Sequence, residues 1–225
     1  MTQTALSVKV EDQQFNSPLV GKFNAYNVVS AFLICQSLGF DRPKIAEALS
    51  KATGAGGRLE RVQLENIENQ PLVLVDYAHT PDALENVLST LKNLKTETQN
   101  LHVIFGCGGD RDKTKRPKMA QIAEQYADLI TVTSDNPRSE DPDEIIDEIM
   151  GGFSKPNSVR NITDRRQAIG QVISESIANS IILIAGKGHE TYQEIAGTRH
   201  DFDDREVARK ALSQRIGTAT SGEAE

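Results

Sequence analysis

Four short stretches of this 225-residue chain carry more reactive side chains than connecting turns need. They are Asp76-Tyr77-Ala78-His79, Gly106-Cys107-Gly108-Gly109-Asp110-Arg111-Asp112-Lys113, Asp135-Asn136-Pro137-Arg138 and Gly186-Lys187-Gly188-His189-Glu190. The glycine turn sets two cations beside two carboxylates, which suits a ligand bearing both signs of charge. It lies between an apolar run, Leu101 to Phe105, and a helix-like stretch from about Arg116 to Tyr126, a layout that turns backbone N–H groups at a helix start toward an anion. In the third stretch Pro137 restricts Asn136 to extended backbone, which predicts an amide aimed outward. Arg138 offers a planar fork for a carboxylate, and Asp135 suits an ammonium group. Gly186 can present backbone atoms to a ligand, Glu190 can accept from an ammonium, and Asp76 suits a ribose hydroxyl. Two arginines (Arg111, Arg138) with these carboxylates fit a ligand that has several carboxylates and at least one amine.

Each stretch also has an ordinary reading. Arg111 can belong to a surface ion-pair cluster worth ~0–1 kcal/mol per pair. Arg138 can be a solvated residue after a proline turn, and Asp76 a helix-start charge worth ~0.3–1 kcal/mol. His189 is equally a structural hydrogen-bonding group. Lys187 resembles a phosphate-loop lysine only superficially, because no Ser or Thr follows it. Arg111 occupies the place of the third glycine in a dinucleotide fingerprint. His102 and His200 sit in strand-like contexts and read as structural. Cys35 lies in an apolar helical stretch and reads as core, Cys107 lies in the glycine turn, and neither has metal-ligand spacing.

The surrounding pattern supplies the elements that position these stretches. Residues 4–20 alternate as a hairpin with Asp12-Gln13-Gln14 in its turn. Phe23 to Leu38 is helix-like, with Val28, Val29, Phe32, Leu33, Cys35 and Leu38 on a broad apolar face. Asp41 caps a second helix, Arg42 to Ser50. Thr53 to Gly57 is a flexible break and a candidate domain boundary. Strands then alternate with helices: Leu72–Val75, a helix opened by Thr80-Pro81, Leu101–Phe105 and its helix, Leu129–Val132, a helix opened by an Asp141/Glu144 capping box, Val159–Ile162, a helix opened by Asp164/Gln167, and Ile181–Ala185. A short hairpin (Tyr192–Ile195, Thr198–His200) and a helix from Asp203 to about Ser213 follow. This is an α/β pattern: a Rossmann-like, mostly parallel sheet with helices on both faces. All four reactive stretches directly follow predicted strands, so they emerge on the one sheet edge where such folds bind ligands. The opposite-edge loops, Lys95 to Asn100 and Ser154 to Ser158, read as plain polar linkers.

Composition narrows the function classes. The formal net charge of −7 argues against nucleic acid as a partner. No apolar run approaches the ~20 residues that span a bilayer, and Met1 to Val10 does not read as a signal peptide. With two cysteines and no metal spacing, the expectation is a reduced cytoplasmic protein. Nothing in the sequence speaks to oligomeric state.

Taken together with Gly57-Arg58-Leu59-Glu60 and Thr80-Pro81-Asp82, the four stretches resemble the Mur ligases, in the tripeptide-synthetase branch that adds meso-diaminopimelate. The resemblance runs from about Gly21 to Leu212, with several ordered motifs. It implies domains at 1–52 (the end of a central ATP-binding domain), 53–215 (a C-terminal amino-acid-binding domain) and 216–225 (a disordered tail). By position it implies that Arg111, Asp135, Asn136, Pro137, Arg138, Gly186 and Glu190 bind meso-diaminopimelate. Asn27, in Gly21-Lys22-Phe23-Asn24-Ala25-Tyr26-Asn27, would contact adenine, and Arg58 and Asp76 the rest of the nucleotide. The family reaction uses ATP and Mg2+ to phosphorylate a D-glutamyl carboxylate of UDP-N-acetylmuramoyl-dipeptide, which the diaminopimelate amine then attacks. This is peptidoglycan synthesis, with small-molecule partners only. The chain departs from that family by having no Gly-x-x-x-x-Gly-Lys-[Ser/Thr] segment. The UDP-sugar domain and most of the ATPase domain also have no counterpart, so the expectation is a portion inactive alone, without catalytic or metal-binding residues of its own. The competing readings are a stand-alone binding module for a dicarboxylic amino acid, a Rossmann-type oxidoreductase, which the missing third glycine opposes, and a purely structural role.

Overall fold

The structure, a computed structural model, describes residues 5–65, 67 and 69–221. It divides into two compact units, Met1–Ala55 and Gly56–Glu225. The first unit holds a hairpin, β1 (Leu6–Val10) and β2 (Gln13–Ser17), followed by helices α1 (Lys22–Ser37) and α2 (Arg42–Ser50). Val10 pairs with Gln13, so the turn is Glu11-Asp12, one step before the expected one, and Glu11 adopts a left-handed φ of 52° to make it. Leu6, Val8, Val10, Val28, Phe32 and Ile45 form its core. The expected broad face of α1 is corrected by the structure. Val28 and Phe32 are buried, but Leu33 is 47% and Leu38 71% exposed. The helix is apolar on more than one side, so the sequence pattern cannot tell which stripe is covered. Cys35 is only partly buried. Asp41 stands at the start of α2 without a side-chain capping bond.

The second unit carries β3 (Glu60–Val62), β4 (Leu72–Asp76), α3 (Pro81–Leu94), β5 (Leu101–Phe105), α4 (Lys115–Tyr126), β6 (Leu129–Thr133), α5 (Pro142–Met150), β7 (Arg160–Ile162), α6 (Arg165–Glu175), β8 (Ile181–Ala185), the hairpin β9 (Tyr192–Ile195) and β10 (Thr198–Asp201), and α7 (Asp204–Ser221). Six strands form one sheet in the order β3-β4-β8-β5-β6-β7. Only β3 is antiparallel; the sequence pattern missed it because three residues carry no readable period. The chain moves outward from β5 to β7 and then returns to insert β8 between β4 and β5. A path that reverses direction lays its crossover helices on opposite faces. Accordingly α3, α4 and α5 pack side by side, while α6 packs on α7. Covered on both faces, the central strands are continuous apolar runs, and β5 and β8 are buried at every position.

Local capping chemistry starts the crossover helices. Thr80 accepts from the Ala83 N–H at 3.3 Å and Asp164 from the Gln167 N–H at 2.9 Å. Asp141 accepts from Asp143 rather than from Glu144, so the expected capping box at α5 is a tighter turn. Helix α7 runs past its expected end near Ser213 to Ser221, which makes the first part of the expected tail helical; residues 222–225 lie outside the described residues. The opposite-edge loops are more tied than plain linkers: the Lys95 ammonium meets Asp128 at 2.9 Å, and Gln99 donates to Asn179. Among the described residues no helix is long and apolar enough to cross a membrane.

Candidate functional site

At the carboxyl ends of β4, β8, β5 and β6 lies a cavity of about 470 Å3. Its lining includes Arg111, Asp135, Asn136, Arg138, Gly186 and Glu190, which come from three separate strand ends. Tyr77, His79, Lys115 and Tyr192 complete its walls.

Close backbone packing builds one side. The glycine loop lies directly on the Asp135–Glu140 segment: the Gly109 N–H donates to the Asn136 carbonyl at 2.9 Å, and a Cβ on Gly109 would strike the Pro137 carbonyl oxygen. A Cβ on Gly108 would sit 2.9 Å from Nη1 of Arg138 and 3.8 Å from Cγ of Arg111. The Arg138 guanidinium and the Arg111 stem thus both pass beside Gly108. Arg138 has a left-handed φ of 54°, uncommon for a residue with a Cβ. Its backbone is held there from both ends: its N–H donates to the Glu194 carbonyl at 3.0 Å, and its carbonyl accepts from Ala196 at 2.7 Å. Its guanidinium donates to the Gly109 carbonyl at 2.8 Å, and Glu194 lies 3.7 Å from Nε.

The acidic side is organised by a residue that the sequence reading set aside. Lys187 is fully buried, and its ammonium lies 2.8 Å from Asn136 Oδ1, 3.3 Å from Asp135 Oδ1 and 3.4 Å from Glu190 Oε2. Asn136 Oδ1 also accepts from the Glu194 N–H, and its Nδ2 donates to Glu190 at 2.9 Å. This corrects the expectation of an outward-aimed amide: Asn136 is 3% exposed and spends most of its hydrogen-bonding capacity on the protein. Gly186, at φ 119°, lets the chain pass where an added Cβ would lie 3.4 Å from Asp135 Oδ2.

Two further expectations change. Asp110 and Asp112, read as carboxylates for a ligand, serve the loop itself. Asp110 accepts from the Ser139 hydroxyl at 2.6 Å, and Asp112 from the Thr114 hydroxyl and N–H. Both carboxyls are held below the usual range by those bonds. Asp76 is 5% exposed, and its two oxygens accept from the N–H groups of Leu59 and Ala78 at 2.7 and 2.8 Å. Burial raises its pKa, against those two bonds and the nearby Arg58 charge. Arg58 itself is exposed and stands 5.2 Å over the Tyr77 ring, which also neighbours His79 and His189. Among the described residues no hydrogen bond holds the His189 side chain. Asn27 is exposed on α1, in the other unit.

Behind the cavity two arginines act as struts. Arg116 is fully buried; it grips both oxygens of Glu140 at 3.0 Å and Glu148 at 2.7 Å, and its Nη2 lies 3.4 Å from the Gly108 carbonyl. These bonds, with Lys113, pull the Glu140 pKa down to about 2. Arg165 forms a two-point pair with Asp204 at 2.8 Å and donates to the carbonyls of Ala185 and Ser134, the residues just before Gly186 and Asp135. The sequence did carry a signal for both. Each arginine sits in the first turn of a helix, where the helix dipole disfavours cations, so each needs a specific partner. Cys107 is buried against Met119, and burial pushes its thiol up to about 12, so it is no nucleophile.

A second cavity of about 220 Å3 opens at the opposite sheet edge beside His102, Thr131, Arg160 and Glu175. There the His102 ring bonds to the Thr131 hydroxyl at 2.9 Å, and burial, with Arg160, lowers its pKa to about 4. Among the described residues no cluster of three His, Cys, Asp or Glu side chains is placed to hold a metal ion.

A family model described as "Mur ligase, glutamate ligase domain" matches residues 57–188. The UDP-N-acetylmuramoyl-L-alanyl-D-glutamate–2,6-diaminopimelate ligase of Haemophilus ducreyi is 49% identical over 201 residues, covering 89% of this chain and 40% of its own length. The enzyme of that name from Xylella fastidiosa is 46% identical over 208 residues, covering 92% and 41%. A solved structure bearing the same name superposes with a TM-score of 0.73 at 40% identity, over 96% of this chain and 44% of that one. The UDP-N-acetylmuramate–alanine ligase of Thermotoga maritima, 22% identical with a TM-score of 0.62, shares the fold. The chain thus spans about 40% of the length of the curated relatives it matches.

Proposed function

The chain belongs to the Mur ligase family, and from that premise we propose that it is the amino-acid-holding part of an ATP-dependent amide ligase that adds meso-diaminopimelate to UDP-N-acetylmuramoyl-L-alanyl-D-glutamate in peptidoglycan synthesis. The observation that carries the reading is one cavity whose lining brings together Arg111, Arg138, Asp135 and Glu190. In this reading Arg111 and Arg138 take a carboxylate of diaminopimelate, Asp135 and Glu190 take the ammonium beside it, and Gly186 leaves room for that end. Pro137 acts through its backbone, by holding the glycine loop. Asn136 contributes its remaining Nδ2 hydrogen. The other amine of diaminopimelate stays free to attack.

The chemistry this portion supplies is orientation. An amine held in line with an activated carboxyl reacts far faster than one that must diffuse and align. Asn27, Arg58 and Asp76 would approach the nucleotide, Asp76 by fixing the loop that carries Arg58 rather than by offering a free carboxylate. ATP and Mg2+ belong to the reaction as a whole. No Gly-x-x-x-x-Gly-Lys-[Ser/Thr] segment occurs in the 225 residues. The first unit fits the end of an ATP-binding domain, and the 225 residues alone should not ligate. A cytoplasmic location is part of the same proposal.

Calorimetric titration of the chain with meso-diaminopimelate and with L-lysine tests this. The reading expects binding of diaminopimelate and at least about tenfold weaker binding of lysine, which lacks the second carboxylate for the arginines. Equal affinities would sink it, as would ATP-dependent ligation by the 225-residue chain for the claim that it is incomplete.

A further inference from the structure

We propose that Lys187 is a positioning residue that sets the charge and the hydrogen-bond polarity of the cavity, without touching the ligand. The proposal rests on the reading of the cavity as an amino-acid site. An ammonium has three N–H donors and no acceptor. Lys187 lies within hydrogen-bond reach of three oxygens, one each on Asn136, Asp135 and Glu190. It sits under the cavity at zero exposure, with the Tyr192 ring 5.7 Å away.

Two consequences follow from that placement. The Asn136 amide has its oxygen turned to Lys187 and the Glu194 N–H, which forces Nδ2 toward Glu190 and the cavity. Lys187 also engages one oxygen of each carboxylate and leaves Asp135 Oδ2 and Glu190 Oε1 for a ligand. Two carboxylates and one ammonium leave a single negative charge, matched to one ligand ammonium. Without Lys187 the two carboxylates, Asp135 buried and Glu190 partly exposed, would line the cavity with no lysine ammonium shared by them. Such pairs share a proton, and one pKa rises toward neutrality. Other charged groups around them are Arg165 of α6, paired to Asp204 of α7, Arg138, beside Glu194 of β9, Arg111 and Asp112 of the glycine loop, and Lys115 of α4, which donates to the His79 carbonyl.

The test compares the unaltered chain with Lys187→Met and with the double variant Lys187→Met/Glu190→Gln, which restores the single negative charge. Each is titrated with meso-diaminopimelate at neutral pH in two buffers of different ionisation enthalpy. The unaltered chain should bind without proton exchange. Lys187→Met should bind about tenfold more weakly or worse and release a measurable fraction of a proton per ligand, because the entering ammonium displaces the shared proton. The double variant should fold at least as well as the single one and bind without proton release. Weakened binding with no proton release in Lys187→Met would overturn the proposal and make Lys187 a packing residue. Carboxyl carbon NMR of the ligand-free proteins reads the same point independently. In Lys187→Met one of the two carboxyls should titrate above about pH 6, and that titration should move down when Glu190 is also replaced by Gln. If the unaltered chain binds no diaminopimelate, the proposed function fails while the NMR titration still decides the role of Lys187. If Lys187→Met does not fold, the double variant decides it: proton release, or a carboxyl titrating above about pH 6 in that variant, overturns the proposal.

Discussion

Arg138 combines an unfavourable backbone conformation with a guanidinium that lies beside Gly108 and lines the cavity. Arg138→Ala removes charge-assisted bonds without disturbing the backbone that β9 grips, so diaminopimelate affinity should fall about ten- to hundredfold while the unfolding midpoint moves little. Calorimetry and a thermal melt on the same sample check both halves. At this scale the sequence was legible wherever a side chain announces its chemistry: Arg111, Asp135, Arg138 and Glu190 could be picked out from type and spacing, and the fold does bring them to one cavity. It was misleading for Asn136, Asp110 and Asp112. Whether a polar side chain faces a ligand or its own protein depends on partners distant in sequence, such as Lys187 for Asn136 and Ser139 for Asp110.

At the scale of elements, the ends of β6 and β8 are held in place by Arg165, whose partner Asp204 is equally buried. Arg165→Met should destabilise the chain by about 3–5 kcal/mol, because it strands a buried carboxylate, and Arg165→Met/Asp204→Leu should recover most of that loss. Urea unfolding would show it; a loss of under ~1 kcal/mol would mean the strut is dispensable. At the other sheet edge His102 gives stability a pH dependence. The unfolded ring takes a proton near pH 6.5, the folded one near 4, so the unfolded state binds more protons between these values. Stability is therefore full above about pH 6.5 and falls as pH drops toward 4, by up to about 3 kcal/mol. His102→Gln should flatten that slope in urea titrations at stepped pH. The parallel strands and their helices were readable because apolar runs of five residues alternate with capped helices. The antiparallel β3 and the exposed side of α1 were not, since a three-residue strand has no period and an apolar helix has no single face.

The whole molecule has two separate cores, one in each unit. Residues 56–225 expressed alone should fold cooperatively, and their affinity for diaminopimelate should match that of the full chain, since every group of the cavity lies in that unit. The first unit exposes Phe23, Tyr26, Leu33, Ile34, Leu38 and Phe40, a stripe of the kind that binds apolar dyes. Dye fluorescence should therefore be strong for the full chain and lost for 56–225. The proposed amino-acid-gripping role has its most direct test in a crystal structure of the chain with meso-diaminopimelate. The account predicts one carboxylate of the ligand against Arg111 and Arg138, with the adjacent ammonium between Asp135 and Glu190. Ligand density elsewhere, or a carboxylate seated on the Asp135–Glu190 side, would contradict it.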